Sequence, residues 1–231
     1  MSFPAPAYTY TFIFTDKGQF SFSVTDEPIM QGCQTSPDYH PDWTLLACHQ
    51  CAPCTLQASA KATCPIACRI AGLVTAFKDI TSSTPCTVSC HSDQRTVSKE
   101  TVVQEGLASI LGLLMATSGC PVMDFFRPLA RFHLPFASVE ESIFRIAATY
   151  MLQQFYRQES ASKNNCSLDE IKDHYARVKQ VNTGILKRIR GITAQDADKN
   201  GLVTLASLGQ ILEFESAGKF ESLQYLFSKG I

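Results

Sequence analysis

The chain has 231 residues, 45% hydrophobic and 18% charged, with a net charge of -1 at pH 7. That length suffices for one large domain or two closely packed ones, and the charge balance argues against a broad basic surface for nucleic acid or acidic lipid. The densest apolar run, Leu107 to Ala116, falls well short of the roughly 18–20 residues that span a bilayer. "MSFPAPAYTYTFIFTD" lacks the basic head, apolar core and cleavage site of a secretory signal. A soluble, cytoplasmic protein with no membrane partner is therefore expected.

In chain order, "YTYTFIFTDKGQFSFSVT" alternates side-chain types on both sides of Asp16-Lys17-Gly18. The pattern predicts a hairpin with Gly18 at a left-handed position and Phe12 and Phe14 on one face. "PCTVSCHS" and "RTVSKE" predict a second hairpin turning through Ser92, Asp93 and Gln94. The Pro- and Gly-punctuated stretch between the hairpins predicts an irregular connection that needs a tether. A helix follows from Cys64, with Ile66, Ile70, Leu73, Val74 and Phe77 on one stripe suited to covering the sheet.

The second half reads as packed helices. Thr101 to Met115 places Leu107, Ile110, Leu111 and Leu114 on a buried face, stopped by Gly119 and Pro121. Ser138 with Glu141, and Ser167 with Glu170, have capping-box spacing. The helix from Ser167 carries Leu168, Ile171, Tyr175, Val178, Asn182, Ile185 and Ile189 on one seam. A last helix centres on Leu205, Leu208, Ile211 and Leu212. The expected fold class is α+β: an antiparallel sheet of two hairpins packed against a helical C-terminal half. Residues 1–100 form the strand-rich part and 101–231 the helical part of one continuous domain.

The cysteines carry the chemistry. Cys48, Cys51 and Cys54 have C-x2-C-x2-C spacing, and Cys64 and Cys68 follow after nine and then three residues. A tight turn between two such cysteines directs both sulfurs to one ion, and four thiolates suit tetrahedral zinc or an iron-sulfur cluster. Cysteine is also among the most buried residue types, so packing alone is the competing explanation. A reducing compartment disfavours a disulfide framework.

"CAPCTL", "CPIA", "TSGCPVM" and "RFHLPFA" together resemble an uncharacterised bacterial family, a domain of unknown function, with C-x-x-C-P-L, C-P-x-A, T-S-G-C-P and H-L-P-F segments in this order. The resemblance covers most of the chain and departs at Thr55, where the family pattern has proline. No activity attaches to the family. Its motifs group Cys51, Cys54, Cys64 and Cys120 as metal ligands, with Cys48, Cys68 and His133 in reserve.

Enzyme motifs are lacking: there is no G-x-S-x-G elbow, phosphate-binding loop, H-E-x-x-H helix or dinucleotide fingerprint. "DADKNGLVTLAS" begins like a calcium loop, but Ser207 stands where the bidentate glutamate belongs, and Asp198 to Gly201 read as a loop before the last helix. The basic run Lys187 to Arg190 suits a helix C-terminus. Glu141 and Arg145 read as a surface pair four residues apart, which a pocket near His133 could reuse.

No catalytic residue is assigned. The expected function is a structural cysteine-rich zinc site in a protein that binds another protein or a small molecule. The alternative is an iron-sulfur or thiol-dependent redox protein.

Overall fold

The computed structural model describes residues 7–25, 41–158, 169–190, 192 and 196–228. Two antiparallel hairpins, β1 (Ala7–Phe14) with β2 (Gly18–Thr25) and β3 (Pro85–Ser92) with β4 (Thr96–Val102), join edge to edge through β1 and β3. The sheet order is β2-β1-β3-β4. Gly18 turns the first hairpin at φ 73°, a conformation glycine adopts without penalty.

Period-two alternation buries one face of the sheet: Tyr8, Tyr10, Phe12 and Phe14 from β1, and Cys86, Val88 and Cys90 from β3. Helices α1 (Pro65–Phe77) and α2 (Val103–Ala116) carry the stripes that cover it. Phe77 sits edge-on to Phe12 and Phe20, with centroids 4.8 Å and 5.4 Å away. Gly106 lets α2 lie directly on the sheet, since a Cβ there would come within 2.6 Å of Phe12 Cε1 and 2.8 Å of Val88 Cγ2.

A short helix, α3 (Arg127–Arg131), leads to α4 (Val139–Gln158), α5 (Asp169–Ile189) and α6 (Ala197–Ala217). The capping box before α4 is reciprocal: Ser138 N–H donates to Glu141 Oε2 at 2.7 Å, and Glu141 N–H donates to Ser138 Oγ at 3.1 Å. Ser167 and Leu168 lie outside the described residues. The rest of the α5 seam, Ile171, Tyr175, Val178, Asn182, Ile185 and Ile189, is buried throughout. One core cluster joins the sheet to α1, α2, α5 and the start of α6; a second joins α4, α5, the end of α6 and the turn at Phe220 and Leu223.

One local expectation is corrected. Asp198 to Gly201 belong to the first turn of α6 and not to a loop before it. At the head of that helix the Asp196 carboxylate accepts Ser82 N–H at 2.8 Å, Ser82 Oγ–H at 3.1 Å and Asn200 Nδ2–H at 2.9 Å. Residues that resemble calcium ligands thus fasten α6 to the segment before β3.

The basic run does end α5, as its position predicts, and Arg188 has a further role there. Arg188 is buried, 3% exposed, and its guanidinium reaches back to the irregular segment. Nη1 donates to the carbonyls of Trp43 at 2.7 Å and Leu45 at 2.6 Å, and Nη2 to that of Leu46 at 3.1 Å. A fixed fork of donors matches several carbonyls at once, which a lone ammonium does not. Leu46 N–H to Ala62 O and Cys64 N–H to Thr44 O, both 2.8 Å, close the neck of the same segment. The tether that this stretch requires is therefore present in protein groups.

Candidate functional site

Cys54 N–H donates to Cys51 O at 2.9 Å, the tight turn expected of the C-x2-C pair. Cys51 Sγ lies 3.9 Å from Val181 O and over Gly184, where a Cβ would approach the sulfur to 2.6 Å. Cys64 is buried at the N-cap of α1. Cys120 follows α2, its N–H donating to Ser118 Oγ at 3.2 Å.

These segments meet closely enough for their charges to interact. Burial pushes the Cys51 thiol up, with Cys64 adding to the shift, Arg188 opposing it and Cys54 contributing further. Burial also raises Cys64, against the amides of Ala67 and Ile66 at the α1 N-terminus and against Arg188; neighbouring Cys68 raises it further. Cys120 is pushed up to about 11 by burial, opposed by the amides of Val122 and Met123, with Cys64 and Cys51 adding to the rise. All three thiols are protonated at neutral pH, a state that disfavours nucleophilic attack and requires proton release to bind a metal. Among the described residues, no three His, Cys, Asp or Glu side chains are arranged to hold an ion. Cys48 is half-buried in the loop.

His133 takes part in a different constellation. Its Nε2 lies 2.5 Å from Tyr10 Oη, which is also 2.7 Å from Ser109 Oγ. The His133 N–H donates to Tyr8 Oη at 3.1 Å, Tyr8 Oη–H donates to Arg131 O at 2.9 Å, and Phe136 N–H donates to Ser109 Oγ at 3.2 Å. The H-L-P-F segment is thus fastened to β1 by two tyrosines and to α2 by a serine. Burial, and secondarily the charge of Arg145, lower His133 to about 3. Arg145 does not simply face Glu141: its Nη2 donates to Phe132 O at 2.6 Å and Leu129 O at 3.2 Å, closing the C-terminus of α3.

His133 and Arg145 stand in the wall of a half-open cavity of about 510 Å³ lined by α2, α3, α4, α5 and α6. That volume lies within the usual range of small-molecule sites, about 300–1,000 Å³. Its origin is local. On α2 the face turned to the other helices carries Ala108, Ser109, Gly112 and Ala116, which leave space where α4, α5 and α6 present Ile146, Val178, Leu205 and Leu208. Leu205, Leu208 and Ile211 are incompletely buried because they line this space, whereas Leu212 is 3% exposed. At the rim, Lys99 Nζ and Glu105 Oε2 pair at 2.8 Å.

Two polar atoms beneath the wall are unsatisfied within the described structure: Tyr175 Oη and Asn182 Oδ1. A buried hydroxyl without a partner costs about 1–3 kcal/mol. Tyr175→Phe is therefore expected to hold or raise stability by about 1 kcal/mol, read from urea unfolding. A loss of similar size would reveal a bond to the hydroxyl.

Acid sensitivity follows from the histidines. His174, against Phe125 at a centroid distance of 4.1 Å, is lowered to about 4 by burial and then by Arg177. Both histidines hold folded values below the ordinary value of about 6.5, so the unfolded chain binds more protons between those limits. Stability is then full above pH ~6.5 and falls as pH drops towards the folded values, by up to about 1.4 kcal/mol per histidine per pH unit. Urea unfolding between about pH 7 and 5 measures this slope; a flat profile would contradict it, and His174→Phe should lower it.

An antiparallel sheet of two hairpins carrying a helical layer, with a half-open cavity between the helices, defines an α+β protein. The chain belongs to the family defined by a domain of unknown function, DUF6901, whose model matches residues 8–228. No curated protein and no solved structure matches it. Among the described residues, no helix is long and apolar enough to cross a membrane. Sequence patterning emphasised the thiols and missed the cavity. Its signal was the run of small residues at Ala108, Ser109, Gly112 and Ala116 on the face of α2 opposite its large apolar stripe.

Proposed function

We propose that the protein is a binding protein for a small, mainly apolar ligand held between α2, α4, α5 and α6. The observation that carries this reading is the cavity of about 510 Å³, walled by small residues on α2 and aliphatic ones on the facing helices. Filling such a space removes apolar surface from water at about 25 cal/mol per Å². Calorimetric titration with decanol, a neutral apolar probe, tests it. Saturable binding at one site supports the reading; no heat and no thermal shift at the solubility limit of decanol overturn it.

A metal site is the second reading, favoured by the approach of three separate segments: beyond the effect of burial, Cys64 raises the proton affinity of Cys51, and both raise that of Cys120. A zinc ion held by Cys51, Cys54, Cys64 and Cys120 would add a cross-link where Arg188 already clamps the chain. Elemental analysis of protein purified without added zinc decides it: about one ion per chain with four protected thiols supports zinc, and visible absorption would indicate an iron-sulfur cluster instead. Metal-free protein whose folding is unchanged by chelator removes both. The raised thiols weigh against the redox alternative, because reactive cysteines are those with lowered values. We place the protein in the cytoplasm, where such thiols stay reduced.

A further inference from the structure

The charges in the cavity wall specify the ligand further, provided that the cavity is a binding site. Lys99 and Glu105 neutralise each other at the rim, with Glu105 Oε2 also accepting Thr101 Oγ1–H at 2.7 Å. His133 is neutral, its Nε2 engaged with Tyr10. Glu141, one turn before Arg145 on α4, has its Oε2 tied to the Ser138 amide in the capping box. That bond leaves the Glu141 carboxylate charged: burial disfavours the charge on Arg145 and Glu141 favours it, on a guanidinium partly buried beside an apolar space.

Both backbone bonds of Arg145 leave from Nη2. Both carboxylate-matching forks of a guanidinium include Nη2, so an anion here would meet Nε–H or Nη1–H singly, through one charge-assisted bond. Ser142, three residues earlier on α4 and also in the cavity wall, brings a hydroxyl to the same stripe. Away from this corner the wall is largely apolar, with Gly112, Leu113, Val178, Leu205 and Leu208, and its polar groups there, Tyr175, Asn182, Thr204 and Ser207, are uncharged.

We propose that the ligand is a monocarboxylate with an apolar body, its carboxylate held by Arg145 beside Ser142 and its body lying between α2 and α6. A partly desolvated guanidinium gains from one matching anion, and charge-assisted bonds of this kind are about twice as strong as neutral ones. A cationic head would instead meet like charge.

The test compares decanoate, decanol and decylamine on the intact chain near neutral pH by calorimetry. The expected order is decanoate tightest, by about tenfold over decanol, and decylamine weakest. Arg145→Met should abolish the preference for decanoate while leaving decanol affinity within about twofold of wild type. Because Arg145 also closes α3, Arg145→Lys and Ser142→Ala provide variants that keep the charge; each should retain part of the preference. Equal affinity for decanoate and decanol in the wild type, or a preference that survives Arg145→Met, overturns the carboxylate assignment and leaves the cavity reading intact. Binding of none of the three overturns both.

Discussion

Replacing Arg188 by methionine is expected to destabilise the protein by about 3–5 kcal/mol, less than the full sum of three bonds from a charged donor at ~1.5–3 kcal/mol each, because the freed carbonyls partly reach water. Methionine keeps most of the aliphatic volume, so the loss is electrostatic. Three carbonyls, those of Trp43, Leu45 and Leu46, lose their donor. Unpaired buried carbonyls each carry a desolvation cost of about 1–3 kcal/mol, partly relieved as the segment shifts towards water. Urea unfolding measures the loss, and limited proteolysis locates it: cleavage should appear first between residues 41 and 63. Arg188→Lys should recover less than half, because one ammonium cannot reach three carbonyls in fixed directions. A loss below about 1 kcal/mol, the worth of an ordinary hydrogen bond, would mean that the segment is held by something else. A metal at the thiols is the first candidate, so the same variant should be assayed with and without chelator.

Gly112→Leu is expected to act in the opposite sense on stability and strongly on binding. Gly112 is in the interior of α2, and a Cβ there meets only Leu205 Cδ1, at 3.6 Å, an ordinary contact. Removing a glycine from a helix interior gains about 0.5–1 kcal/mol, and the longer side chain projects into the cavity in place of ligand. Affinity for decanol and decanoate should fall on the order of 100-fold, equivalent to about 2.8 kcal/mol, while the urea midpoint rises. A variant that is more stable and still binds would place the ligand elsewhere. One that unfolds would show that α2 and α6 cannot part to admit the leucine, and Ala108→Leu then makes the same test one turn earlier.

Much of the architecture is legible in residue patterns. Alternation in β1 and β3 specifies which side chains face the core, and Ser138 with Glu141 marks the start of α4. Strand order is not legible, because the edge-to-edge pairing of β1 with β3 depends on contacts between segments more than seventy residues apart. The partners of Arg188 are hidden for a related reason. From sequence it is one of several cations at a helix end, and its partners are carbonyls that no side-chain pattern records. The C-x2-C turn at Cys51 and Cys54 is visible in its spacing, whereas the meeting of Cys64 and Cys120 depends on tertiary packing. The cavity is hardest to foresee, since it arises from residues that are small where neighbouring helices would accommodate larger ones.

Methyl-resolved NMR of the wild-type protein titrated with decanoate tests the central claim most directly. Shift changes confined to the methyls of Leu113, Val178, Leu205 and Leu208, saturating together and absent in Gly112→Leu, are the predicted result. Changes located on the exposed side of α4, at Met151 and Leu152, or none at all, would contradict a ligand held between the helices.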